Sequence, residues 1–363
     1  MERRKFLTGA ALAGAAVAGA TASGLPMPAI AQGKKELKMV MTWPKNSPGL
    51  GTSAQRIADR ITLLTDGRLT VKLYGAGELV PAFQSFDAVS AGDADIYHGA
   101  EYYWQGKSKG YNFLTAVPYG LTGGETHAWI RYGGGQELWD ELAAGFNLKG
   151  FPVASTGVQM GGWFRKDINS VDDFKGLKMR MPGLGGEVLR GLGANPINLP
   201  VGEIYPALQS GAIDATEWVG PWHDLAFGFY KVTKKYYYPG FHEPGTVASV
   251  GVNKALYDGL SKTDQEIIRI VCEAEAHTQS AEFNARNQGS LDTLTTKHGV
   301  ELKRYPDELL ANVRKVAMDV ISSVGNSDPM TKKIYDSYAA YQKTAVQWAK
   351  VAEQGYMNAR SPG

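Results

Sequence analysis

What the chain lacks narrows its class first. Its 363 residues include a single cysteine, Cys272, which excludes an internal disulfide framework, a Cys-x-x-Cys pair and a zinc site built on several thiolates. Neither sign of charge is in surplus. Arg3, Arg4 and Lys5 stand against Glu2 in the first 31 residues, and the remaining 332 carry 35 basic and 35 acidic side chains. A nucleic-acid binder needs an excess of Lys and Arg, so that class is excluded. Beyond the N-terminus no apolar run reaches the roughly 18 uncharged residues that a spanning helix needs. Catalytic signatures are missing as well: there is no GxSxG, HExxH or P-loop, and Ser, His and Asp fall into no recognisable order. The glycines of Gly183-Leu184-Gly185-Gly186 and Gly191-Leu192-Gly193 misplace the third Gly of a dinucleotide fingerprint, so they read as a tight turn and close helix packing. The histidines at 98, 127, 223, 242, 277 and 298 form no ligand pair at helical spacing and read as surface or hydrogen-bonded residues. Cys272 shares an apolar helical face with Ile267, Ile268 and Val271 and reads as core.

What is present begins with a leader. Arg3-Arg4-Lys5-Phe6-Leu7, a weakly apolar Gly- and Ala-rich stretch to Ala22, and Ala29-Ile30-Ala31 form a basic region, an apolar region and an A-x-A cleavage site. The paired arginines and low hydrophobicity fit a twin-arginine signal over 1–31. The expected destination is the periplasm. The rest alternates short apolar runs with amphipathic stretches, the pattern of an α/β protein with a sizeable core. Strands are expected at 37–42, 68–74 and 95–99, with helices at 53–65 and 81–90; a second unit repeats this as strand 177–181, helices 185–192 and 202–209, and strand 213–218. Ala88-Val89-Ser90-Ala91-Gly92-Asp93-Ala94-Asp95 and Ala207-Leu208-Gln209-Ser210-Gly211-Ala212-Ile213-Asp214 both read A-[VL]-x-x-G-x-x-D at a helix-to-strand joint. The expectation is therefore two related α/β lobes in a clam-shell with its ligand at the hinge. Lobe I takes 32–154 and 247–305, lobe II takes 155–246, and residues 306–363 are C-terminal helices. Ser261 and Asp264 are placed to cap a long helix. Ile334, Tyr338, Tyr341, Ala345, Trp348 and Ala352 recur at alternating spacings of four and three, which is one helical stripe that covers either its own protomer or a second copy.

Three segments carry the chemistry: Gly157-Val158-Gln159-Met160-Gly161-Gly162-Trp163-Phe164-Arg165, Asp214-Ala215-Thr216-Glu217-Trp218-Val219-Gly220-Pro221, and Tyr236-Tyr237-Tyr238-Pro239-Gly240-Phe241-His242-Glu243. With Arg180 at a strand end, they place charge beside glycine and aromatic residues. One Arg binds a carboxylate through two parallel hydrogen bonds, and carboxylate and amide oxygens hold a hard cation. Residue type alone also allows a surface ion pair for Arg180 and a solvated strand end for Glu217.

These segments resemble the DctP-type substrate-binding proteins of TRAP transporters, and most closely the subgroup that binds 2-oxo acids such as pyruvate, or 2-hydroxy acids such as lactate, with a metal ion. The resemblance implies Arg180 as carboxylate anchor and a sodium or calcium ion held by the side chains of Gln159, Glu217 and Glu243 and the main-chain oxygen of Trp218. It also implies that Tyr102 and Tyr103, within Glu101-Tyr102-Tyr103-Trp104, close over the ligand from the first lobe. A TRAP membrane permease as partner and a homodimer through the C-terminal helices follow from the same likeness. Glu101 and Phe241 depart from that pattern, where a small residue and Trp are expected. A receptor for another organic acid such as a sugar acid, a secreted metal-dependent enzyme acting on 2-oxo acids, and a ligand-sensing subunit remain as alternatives.

Overall fold

The computed structural model describes residues 33–361; the leader expected over 1–31 lies outside the described residues. The first lobe opens with β1 (Lys35–Met41), β2 (Leu69–Tyr74), β3 (Ile96–Gly99) and β4 (Leu148–Ser155). The chain then crosses to β5 (Gly162–Phe164), β6 (Lys178–Arg180), β7 (Asn195–Ile197), β8 (Ala215–Thr216) and β9 (Lys235–Tyr238). It returns for β10 (Val247–Asn253) and crosses once more through the helix Lys262–His298 to β11 (Glu301–Arg304). Sheet one has the order β2-β1-β3-β10-β4 and sheet two β11-β9-β5-β8-β6-β7. β10 in the first sheet and β5 in the second run antiparallel to both their neighbours.

The sequence repeat is a structural repeat. The helices Ser85–Ala91 and Val201–Ser210 end at Gly92 (φ 89°) and Gly211 (φ 79°), both left-handed caps that glycine adopts without steric cost. Three residues later the aspartates make the same clamp. Asp95 Oδ2 accepts from Lys38 N at 2.7 Å and Asp214 Oδ2 from Lys178 N at 3.0 Å. Their own amides donate back to the Lys38 and Lys178 carbonyls at 3.0 and 2.7 Å. Each Asp thus sets the register of the parallel pair that follows, Met39 on Ile96 and Met179 on Ala215.

The expected lobe boundary at 305 needs correction. Glu301–Arg304 pairs in parallel with Lys235–Tyr238, so this strand is the edge of the second sheet. The long helix before it touches both lobes. Arg56 and Arg60, on the helix Leu50–Leu64, reach the buried Glu275 at 2.6 and 2.8 Å, while Phe283 packs on His223 with ring centroids 4.7 Å apart. Ser261 Oγ accepts from Asp264 N at 3.0 Å, which makes the expected N-terminal cap, and Cys272 is buried as expected.

The C-terminal stripe divides. On the helix Pro329–Val351, Ile334 and Tyr338 are buried, and the Tyr338 hydroxyl accepts from Leu121 N at 2.7 Å. Trp348, by contrast, is 70 % exposed and Val351 77 %. No helix among the described residues is long and apolar enough to cross a membrane.

Candidate functional site

The site is assembled on the crossings themselves. Residues 156–161 leave β4 and residues 239–246 lead into β10, and the two segments are joined by backbone hydrogen bonds. Thr156 N donates to Thr246 O at 3.0 Å, Gln159 N to Glu243 O at 3.1 Å, and Gly240 N to Gln159 O at 2.9 Å. The last contact leaves room for glycine alone, since a Cβ on Gly240 would lie 2.4 Å from the Gln159 carbonyl. This pairing sets Gln159 against Glu243. A third segment joins them, because Met160 N donates to Val219 O at 3.0 Å.

Arg180, at the end of β6, and Glu217, just beyond β8, are fully buried. Neither the surface ion pair nor the solvated strand end that residue type allowed is found. Arg180 Nη1 donates to the Glu217 carboxylate, Nε donates to Leu199 O at 3.2 Å, and the guanidinium lies 5.2 Å from the Trp218 ring. Nη2 is buried with no hydrogen-bond partner. Gln159 is in the same condition: its Nε2 donates to Thr156 and Thr246 hydroxyls, both at 3.1 Å, while its buried Oε1 has no partner. An unmet donor and an unmet acceptor inside a buried polar cluster cost about 1–3 kcal/mol each unless a ligand supplies the bond.

The acids complete the cluster. Glu243 accepts from the Thr246 hydroxyl, and burial beside the Glu217 carboxylate pushes its pKa up to about 7. Glu217, His242 and Glu243 each offer one ligand atom, and these atoms lie within 4.8 Å of one another. Two buried carboxylates, an orphaned amide oxygen and an imidazole are a donor set that fits a cation. His242 did not stand out in the sequence. Its Nε2 lies 3.3 Å from Glu217 Oε2, a contact made 25 residues along the chain, and no local spacing could reveal it. Of the histidines expected to be surface or hydrogen-bonded residues, His223 accepts from Trp218 Nε1 at 3.2 Å, whereas neither ring nitrogen of His98 has a partner among the described residues; both rings are fully buried, and burial lowers their pKa to about 3.

Tyr102 and Tyr103 belong to the 3-10 turn Glu101–Trp104 of the first lobe. Burial raises the Tyr103 phenol to about 12, with the opposing pull of the Arg180 charge, so the turn and the second lobe's guanidinium share one environment. Gly183, with φ 58°, lets the helix Gly183–Gly191 approach this turn: a Cβ there would lie 3.0 Å from the Tyr102 ring. The two unusual residues are turned to other partners. Glu101 accepts from the Tyr97 hydroxyl at 2.7 Å, and Phe241 stacks on Tyr119 with centroids 5.8 Å apart.

Next to the cluster lies an acid that no sequence motif picks out. Asp224 is buried and accepts from Trp163 Nε1 at 2.9 Å, Tyr236 Oη at 2.7 Å and Val219 N at 3.2 Å. Burial pushes its pKa up to about 7 against those three donors.

Known proteins share this architecture. The chain is 40% identical over 360 residues to the monocarboxylate 2-oxoacid-binding periplasmic protein of Nostoc sp., covering 99% of this chain and 98% of that one. A TRAP periplasmic solute-binding protein from Pseudoalteromonas atlantica, with bound sodium and pyruvate, superimposes with a TM-score of 0.87 at 38% identity, over 90% of this chain and 99% of that chain. One from Bordetella bronchiseptica, a mixed-occupancy dimer with copurified calcium and picolinate, gives 0.88 at 35% identity, over 90% and 97%. Matched over residues 39–328 by the model of DctP, the bacterial extracellular solute-binding protein family 7, the chain belongs to that family and is a binding protein rather than an enzyme.

Proposed function

We propose that this protein is the periplasmic receptor of a TRAP transporter, and that it captures a small 2-oxo or 2-hydroxy monocarboxylate together with sodium or calcium and hands it to the membrane permease. In this reading Arg180 anchors the carboxylate through its free Nη2. Gln159 Oε1, Glu217, Glu243 and the Trp218 main-chain oxygen hold the cation, while Tyr102 and Tyr103 cover the ligand from lobe I.

The observation that carries the reading is the charge balance of the buried cluster. Glu217 and Glu243 face one guanidinium, and Glu217 already engages it. An anion entering such a site meets net repulsion, which the low-dielectric interior strengthens. A cation between the acids removes that repulsion. The ligand's carboxylate oxygen and its neighbouring 2-oxo or 2-hydroxy oxygen then close a five-membered chelate on the ion. Nothing in the cluster is an activated nucleophile, so the ligand leaves as it entered. The 2-oxoacid-binding relative and the pyruvate-bearing structure support the choice of ligand class. The test is direct: protein purified gently should yield one small carboxylic acid and one metal per chain, by mass spectrometry and elemental analysis, with the acid chemically unchanged. A tightly held acid that lacks an oxygen on the second carbon would overturn the ligand class.

A second copy of the chain is the proposed cover of the C-terminal helix. The stripe's first half, Ile334 and Tyr338, is used within the protomer, whereas Trp348 and Val351 are exposed on the same helix. Burying an aromatic and an aliphatic side chain of this size contributes about 1.5–3 kcal/mol apiece. The full chain should sediment as a dimer at micromolar concentration, and Trp348→Asp should shift it to monomer. A monomeric wild type refutes the assembly.

A further inference from the structure

We propose that Asp224 is a positioning residue that sets the geometry of the cation site by fixing the backbone between its ligand segments. The inference rests on the reading above, in which Gln159, Glu217 and the Trp218 carbonyl ligate a cation. Val219 is the meeting point. Its carbonyl accepts from Met160 N at 3.0 Å, one residue after Gln159, and its amide donates to Asp224 Oδ1 at 3.2 Å, one residue after Trp218. The Trp218–Val219 peptide, whose oxygen would face the ion, is therefore held from its nitrogen side by Asp224.

Asp224 is itself held rigidly. Its Oδ2 accepts from Trp163 Nε1 and Tyr236 Oη, and those two residues are cross-strand partners on β5 and β9 whose rings stack with centroids 4.0 Å apart and planes 18° from parallel. The carboxylate thus transfers the position of the second sheet to the ligand-bearing loop. Its place in the short helix Pro221–Phe227, directly after that loop, makes this geometry possible. Three donors converge on two carboxylate oxygens, and asparagine cannot match them. With its amide nitrogen at Oδ2, the Trp163 Nε1–H meets a donor, although the Tyr236 hydroxyl can turn and accept; with the amide flipped, the Val219 amide meets one.

Outer partners that orient a metal's ligands typically account for about ten- to a hundredfold in metal affinity. The experiment is a terbium titration of the metal-stripped full chain, read by luminescence sensitised through nearby tryptophan. The panel is wild type, Asp224→Asn, Tyr236→Phe, Glu217→Gln and Leu208→Ala, a core substitution of the same lobe outside the network. Asp224→Asn should bind terbium about tenfold more weakly or worse, Tyr236→Phe should show a smaller loss in the same direction, and Leu208→Ala should lose melting temperature without losing affinity. If Glu217→Gln is weakened but Asp224→Asn titrates like wild type, the positioning role is overturned and the cation site stands. A Glu217→Gln curve identical to wild type overturns both. Equal losses in Leu208→Ala and Asp224→Asn reduce Asp224 to general stability and overturn the proposal. Should Asp224→Asn not fold, Tyr236→Phe decides alone, and a wild-type titration for it overturns the role.

Discussion

Arg180→Lys should weaken binding of pyruvate-like acids by roughly ten- to a hundredfold, the equivalent of one lost charge-assisted hydrogen bond at about 1.5–3 kcal/mol. The guanidinium here does four things at once. It meets the Glu217 carboxylate, donates to Leu199 O, lies against the Trp218 ring, and keeps Nη2 free inside the cluster. A lysine ammonium carries the charge but is a point donor, without a planar fork that can serve an internal carboxylate and a ligand carboxylate together. It would stay with Glu217 and leave the ligand without its anchor. Isothermal titration with pyruvate measures this. An affinity within twofold of wild type would remove Arg180 from the anchor role.

Removing one negative ligand should act differently from removing the anchor. Glu217→Gln keeps shape but deletes the charge that a hard cation prefers, so acid binding should weaken and become steeply dependent on added calcium or sodium. The same chelate sets ligand choice: propionate, which has no oxygen on its second carbon, should bind at least about tenfold more weakly than pyruvate or lactate, the value of one charge-assisted contact. Titrations with and without a chelator check both statements. Undiminished pyruvate binding after complete metal removal, or propionate matching pyruvate, would show that recognition needs no cation.

The features legible in the sequence are those whose cause is local. A-[VL]-x-x-G-x-x-D encodes its own cap and its own register clamp, so the pair of lobes could be read from it, and Gly92 and Gly211 both take the left-handed conformation. Gln159, Arg180, Glu217, Trp218 and Glu243 lie in or beside the segments where glycine, aromatic and charged residues are concentrated. The structure brings them to the lobe crossings. What the sequence hid depends on distant partners. Glu301-Leu302-Lys303-Arg304 has the charge and exposure of a loop, and only the neighbouring Lys235–Tyr238 makes it an edge strand. Asp224 looks like an ordinary acid in the first turn of a helix, where the dipole favours it. Its burial comes from Trp163 and Tyr236, 61 and 12 residues away.

One consequence follows from the pairing of residues 156–161 with 239–246. In the proposed function these strips are the joints on which the lobes close, and they also carry Gln159 and Glu243, two of the proposed cation ligands. There is no lever arm between the grip and the pivot. A substitution that tightens the grip must therefore stiffen the joint as well, so slow release should accompany tight capture in any variant of these two strips. A receptor that has to surrender its cargo to a transporter has little freedom to improve there. On the same proposal, its affinity can drift more freely through Tyr102 and Tyr103, which lie in a turn of the first lobe outside both strips.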